Sequence, residues 1–201
     1  MLLLEALNSA LQTLIEQEMQ NKLEQKIYIQ FASPNKQFQS KVEKPTVNIF
    51  LYDIRENLEL RSHKSVTVRD YTRTEFAPLQ MSPIHVSFSY ILTAWTPSEN
   101  TTVIDTTIDK ILSLLLNILL FYPELPEKYL DESIKATRPL PKMQILHQTY
   151  LQSVGEFWHA LEGQPKPFIH CTITTPIYPD LSYGQLVTNV MSDITFKAES
   201  L

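Results

Sequence analysis

Residues 2–23 set Leu4, Leu7, Leu11, Leu14, Ile15 and Leu23 three and four positions apart, with Gln, Glu and Asn between them. That spacing predicts one amphipathic helix with a single buried stripe. From Ile27 the period drops to two: Ile27, Ile29 and Phe31 share a strand face until Ser33-Pro34-Asn35 breaks the pattern. The polar run 37–44 reads as an exposed loop. Residues 46–53 alternate again, Val47, Ile49 and Leu51 against Asn48, Phe50 and Tyr52. Apolar side chains on both faces predict a central strand covered on two sides. Ile54-Arg55-Glu56-Asn57 reads as a turn. Residues 58–61 read as the start of a partner strand, and 66–73, with one polar face, as an exposed strand or hairpin arm.

A second strong strand spans 84–95, bounded by Pro83 and Pro97, with Val86, Phe88, Tyr90 and Leu92 on one face. Residues 101–121 return to helical period. Their apolar face covers more than half the circumference, so the helix must be buried on more than one side. Pro123 and Pro126 stop it. Residues 127–142 read as irregular, 143–151 as a strand and 154–161 as a short helix with Gly163 as its C-terminal cap. A last core strand runs through 168–174. Without strict strand–helix alternation, this order predicts a single α+β domain over 1–180. Its sheet is mixed or mostly antiparallel, packed by the N-terminal and long central helices, and 181–201 form a C-terminal tail.

Composition narrows the chemistry. The chain of 201 residues is 43% hydrophobic, enough for a sizeable core, and carries a net charge of −5. It has three glycines, where ordinary usage would give about fourteen. Gly155, Gly163 and Gly184 are too scattered for a phosphate-cradling loop, which needs several at fixed spacing. One cysteine excludes an intrachain disulfide and a zinc site with two or more thiolates. The start lacks a basic leader, and the most apolar stretch, 111–121, is about half of the ~20 residues that cross a bilayer. The expectation is a soluble, cytoplasmic protein without membrane insertion, and the acidic balance gives no electrostatic reason to bind nucleic acid.

Candidate reactive groups are sparse. No two of His63, His85, His147, His159 and His170 have the i,i+4 spacing that would place both on one metal. His170 and Cys171 are adjacent in a strand and point to opposite faces, so they form no dyad. Asp105 and Asp109 share the start of a helix, where the dipole favours negative charge. The expectation is no enzyme, no cofactor and no metal; a small Cys/His enzyme is the distant alternative. The short helix holding Phe157 and Trp158 must dock on its own domain or on another chain. Residues 55–73 carry five basic and three acidic side chains and 98–132 carry two and seven. That split suits either a solvated surface or a head-to-tail subunit contact.

Three stretches in order carry a family resemblance. They are Pro45-Thr46-Val47-Asn48-Ile49-Phe50-Leu51-Tyr52-Asp53-Ile54-Arg55-Glu56-Asn57 with Glu59-Leu60-Arg61; Tyr90-Ile91-Leu92-Thr93-Ala94-Trp95 with the later Tyr122-Pro123-Glu124-Leu125-Pro126; and Glu156-Phe157-Trp158-His159-Ala160-Leu161-Glu162-Gly163 with Lys166-Pro167. Together they resemble the N-terminal domain of the tail-terminator, or cap, protein of phage-tail-like extracellular contractile injection systems. The resemblance implies a structural subunit that assembles as a homo-oligomeric ring, expected to be a hexamer, on the end of the inner tube. There it contacts the tube protein and the sheath protein. Asp53, Arg55, Glu56, Asn57, Arg61, Phe157 and Trp158 are the candidate interface residues, although Arg55, Glu56 and Arg61 equally suit pinning the turn internally. The tail, where Leu186, Thr188, Val190, Ile194 and Phe196 alternate imperfectly, is expected to add as a strand to a neighbour. Another phage-tail-like completion or adaptor protein is the alternative.

Overall fold

The computed structural model describes residues 2–23, 25–61, 66–67, 79–80, 82–97, 101–135, 137–146 and 153–178. The expected strand positions 68–73 and 147–151, His63, His147 and the tail 181–201 lie outside them. Helix α1 spans Leu3–Gln20 and strand β1 Tyr28–Gln30, followed by helix α2 at Lys36–Ser40 and strand β2 at Thr46–Glu56. Strands β3 (Val66–Thr67) and β4 (Leu79–Gln80) pair as a short antiparallel ribbon. Strand β5 (Ile84–Trp95), helix α3 (Thr101–Phe121), helix α4 (Glu132–Lys135), strand β6 (Lys142–Ile145), helix α5 (Val154–Ala160) and strand β7 (Phe168–Ile177) complete the order. This is the mixed α+β domain that the periodicities predict.

The main sheet has the order β1-β2-β5-β7-β6. β1 runs parallel to β2, and every other pairing is antiparallel. α1 and α3 cover one face. Their Leu7, Leu11, Leu14, Ile15, Ile111, Leu115 and Leu119 are buried against Val47, Ile49, Tyr90, Leu92, Cys171 and Ile173. Each such aliphatic side chain contributes about 2 kcal/mol of transfer free energy. Tyr90 keeps its polar end satisfied by donating to Asn8 Oδ1 at 3.0 Å, and burial raises the pKa of its hydroxyl.

The opposite face is covered by short elements and lined differently. Phe38 of α2 meets Trp95 edge-on at 5.1 Å between ring centroids. Phe157 of α5 packs on Phe50 and Tyr52, and Trp158 packs on Phe168. Polar groups fill the gaps. Trp95 Nε1 donates to Thr93 Oγ1 at 2.7 Å, and Ser87 and Thr174 share a hydroxyl bond of 2.9 Å. Asn48 is fully buried and grips the Ala32 backbone: its Oδ1 accepts from Ala32 N and its Nδ2 donates to Ala32 O.

Several sequence expectations change here. The 37–44 loop contains α2, because Asn35 caps it by accepting from Phe38 N at 2.8 Å and Phe38 then anchors it. The turn expected at 54–57 is the end of β2, which runs to Glu56 because β5 offers it partners as far as Val86. Residues 58–61 do not start a partner strand: Leu58–Leu60 form one turn of 3-10 helix. The irregular 127–142 segment contains a 3-10 turn at Glu127–Tyr129 and α4.

The cap of α5 also differs from expectation. Gly163 N bonds back to Trp158 O and Glu162 N to His159 O, a Schellman ending whose left-handed residue is Glu162, at φ 52°. Gly163 is needed for space instead. A Cβ there would lie 2.9 Å from Pro34 O and 3.2 Å from the Trp158 ring.

Candidate interaction surface

β2, β5 and β7 end together at one margin of the sheet, where Glu56 pairs with Val86 and Ile84 with Ile177. A bulge shapes this margin. Leu51 pairs with Tyr90 and Asp53 with Ser89, which leaves Tyr52 as the extra residue. Up to Leu51 the odd positions of β2 face α1 and α3. Beyond the bulge Asp53 and Arg55 fall on the opposite face, opposite Ser89 and Ser87.

The candidate residues between 53 and 61 are largely engaged with one another. Arg55 Nε lies 2.5 Å from Asp53 Oδ2, and Arg61 Nε lies 3.4 Å from Glu56 Oε1. Asn57 N donates to His85 O at 2.7 Å, and Asn57 Oδ1 accepts from Leu60 N at 3.3 Å. The Asn57 N bond ties the 3-10 turn to β5 and the Glu56–Arg61 pair ties it to the end of β2, while the Asp53–Arg55 pair stays within β2. Beside the exposed Glu59 and Arg61, that turn and the adjoining strand ends also present apolar side chains outward. Ile54 is 54% exposed, Leu58 67%, Leu60 46% and Ile84 41%. The sequence reading passed over these four, although a Leu-x-Leu step inside a charged run was a usable signal.

Phe157 and Trp158 sit on the same face as Asp53 and Arg55, the one away from α1 and α3, beyond Tyr52. Phe157 is half-buried against Phe50 and Tyr52, while Trp158 is buried at 1% exposure. Trp158 therefore acts within this chain by seating α5, and its Nε1 has no hydrogen-bond partner among the described residues. Seven residues form too short a helix to persist alone, so α5 depends on that seat and on Ser153, whose Oγ accepts from Glu156 N at 3.2 Å.

The reactive groups weighed in the sequence lie elsewhere. Cys171 is fully buried on the face under α1 and α3, and burial pushes its thiol pKa up to about 12, so it stays protonated. His170 points to the opposite face, where its Nε2 and the Tyr52 hydroxyl are 2.9 Å apart. His159 lies exposed on α5. Among the described residues no three His, Cys, Asp or Glu side chains gather as a metal site, and no helix is long and apolar enough to cross a membrane.

Comparison with known proteins places this arrangement. No curated protein matches the sequence. Among solved structures, the chain is similar to the sheath/tube terminator of an extracellular contractile injection system (PVC), in its extended state. That similarity has a TM-score of 0.61 at 23% identity and covers 96% of this chain and 64% of that one. It is also similar to the tube-terminating cap of the anti-feeding prophage, with a TM-score of 0.58 at 21% identity over 96% of this chain and 59% of that one. The chain thus spans about three-fifths of the length of each, and at these identities the likeness is one of fold. The sequence itself matches the Pvc16 N-terminal domain over residues 6–183. With that match spanning most of its length, the chain belongs to the Pvc16 N-terminal domain family.

Proposed function

We propose that this chain is the tail-terminator, or cap, subunit of a contractile injection system. Copies assemble in the cytoplasm as a ring, expected to be a hexamer, that ends the inner tube and meets the end of the sheath. The observation that carries this reading is the fold likeness over 96% of the chain to a sheath/tube terminator. The local chemistry suits it, because a terminator works through rigid complementary surfaces and the one thiol is held protonated in the core. The contact region comprises Asp53, Arg55, Glu56, Asn57 and Arg61, which stiffen the turn bearing Leu58 and Leu60, together with the α5 surface that Phe157 and Trp158 hold in place. A pinned turn with exposed apolar tips loses little freedom on docking, which favours affinity.

Electron microscopy of the purified chain, alone and with its cognate tube protein, tests this. Rings and decorated tube ends are expected. Monomers that leave tube ends bare overturn the reading, and binding at another joint of the particle identifies an adaptor instead.

A further inference from the structure

β1 is an edge strand with an open outer side. In a parallel ladder, alternate residues direct both backbone groups to the same neighbour. Tyr28 N donates to Pro45 O at 3.0 Å, and Tyr28 and Gln30 pair with Thr46 and Asn48, so those two face β2. Ile29 therefore turns its N–H and C=O outward, and among the described residues neither has a partner. Beside that edge, between the C-terminal half of α1 and residues 25–29, lies a groove of about 520 Å³. Met19, Leu23 and Ile29 make it apolar on the core side, and Gln12, Glu16 and Gln20 form a polar wall. A free strand edge next to a groove with an apolar floor and a polar wall takes an extended chain, with backbone bonds along the edge and alternate side chains inserted.

We infer that this groove receives residues 186–196 of a neighbouring copy as an added strand. This rests on the ring reading and names the element that joins the copies. The segment has the required pattern: Leu186, Val190, Ile194 and Phe196 share one parity with Thr188 and Ser192. Its one charged residue is Asp193, and the groove lies beside two cations, Lys26 and Lys44, 5.3 and 4.9 Å from the Tyr28 ring centroid.

The chain's own Leu186 stops short of the groove. β7 ends at Ile177 opposite Ile84, whereas β1 lies alongside Thr46–Asn48, level with Trp95–Thr93 on β5. At about 3.3 Å per residue along β5 and about 4.8 Å per strand spacing, the groove is about 35 Å from Ile177. The nine Cα steps from Ile177 to Leu186, fully extended, span at most about 32 Å, so a neighbouring copy supplies the start of the strand.

Disulfide trapping on the full-length chain tests the exchange. One preparation carries Gln20→Cys in the groove wall, the other Thr188→Cys or Ser192→Cys in the segment. Cys171 does not compete, being buried with its thiol raised to about 12. Mixing is expected to give covalent dimers at least about tenfold faster than a Lys36→Cys control, because docking raises the local thiol concentration. Adding Ile29→Pro, which removes the outward N–H at the edge, abolishes that gain, whereas Ile29→Val, which keeps the N–H and most of the groove-lining side chain, retains it. A rate no higher than the control, or a link that closes within one chain carrying both cysteines, overturns strand exchange. Mass photometry and tube-end decoration by the unmodified chain report on the cap reading separately, so a chain that still forms rings without the trapped link rejects the exchange alone.

Discussion

On the face under α1 and α3, aliphatic side chains of two long helices interdigitate with Val47, Ile49, Leu92 and Ile173. On the other face two helices of five and seven residues hold their places through Phe38 and Trp158, over a sheet lined with Asn48, Ser87, Thr93 and Thr174. The first face is cohesive because many equivalent contacts share the load. The second relies on a few large anchors and on polar groups that must each find a partner. The difference separates what keeps the domain folded from what sets the contour of one surface. It also places the turn of 58–60, with its exposed Leu58 and Leu60, at the margin where the two faces meet.

The sharpest way to break this contrast is Leu11→Ala. Leu11 is fully buried on the sheet-facing side of α1, and its truncation should cost about 4 kcal/mol. The whole domain should respond, with urea midpoints by fluorescence and by far-ultraviolet circular dichroism falling together. Trp158→Ala should cost less, about 3 kcal/mol. Part of the lost packing is offset by removing an indole N–H that lacks a partner. Its effect should be regional: hydrogen exchange rises first in 153–163 while α1 and α3 remain protected. A uniform rise would show that the two faces melt as one. The smallest effect has the opposite sign. Glu162 holds a left-handed conformation, so Glu162→Gly should stabilise the α5 ending by about 0.5–1 kcal/mol. A small rise in Tm by calorimetry checks this; a fall would mean that the Glu162 side chain contributes contacts of its own.

Legibility followed the length and purity of each period. α1, β5, α3 and β7 were readable because each repeats one period over several turns or pleats. α2 was not, since a five-residue helix with one apolar side chain leaves no periodic trace, and only the Asn35 cap announces it. The end of β2 was misread as a turn because Arg55, Glu56 and Asn57 carry the composition of a loop, while their partners lie some thirty positions away on β5. Of the candidate surface, the residue types were visible but their partners were not. The bulge sets the face on which the Asp53–Arg55 pair lies and the 3-10 turn brings Arg61 to Glu56, and neither device has a sequence signal as strong as a hairpin dipeptide. The groove beside β1 arises where a helix and a strand distant in sequence meet, which no local pattern encodes.

Tyr52 is a phase shifter. Simple alternation would send Asp53 and Arg55 toward the aliphatic layer and leave Ile54 among hydroxyls. One supernumerary residue exchanges those destinations without interrupting the ladder. Residue count, rather than residue identity, thus orients this rim: substitutions along 53–56 change its texture, whereas a single insertion or deletion there would turn its charges inward.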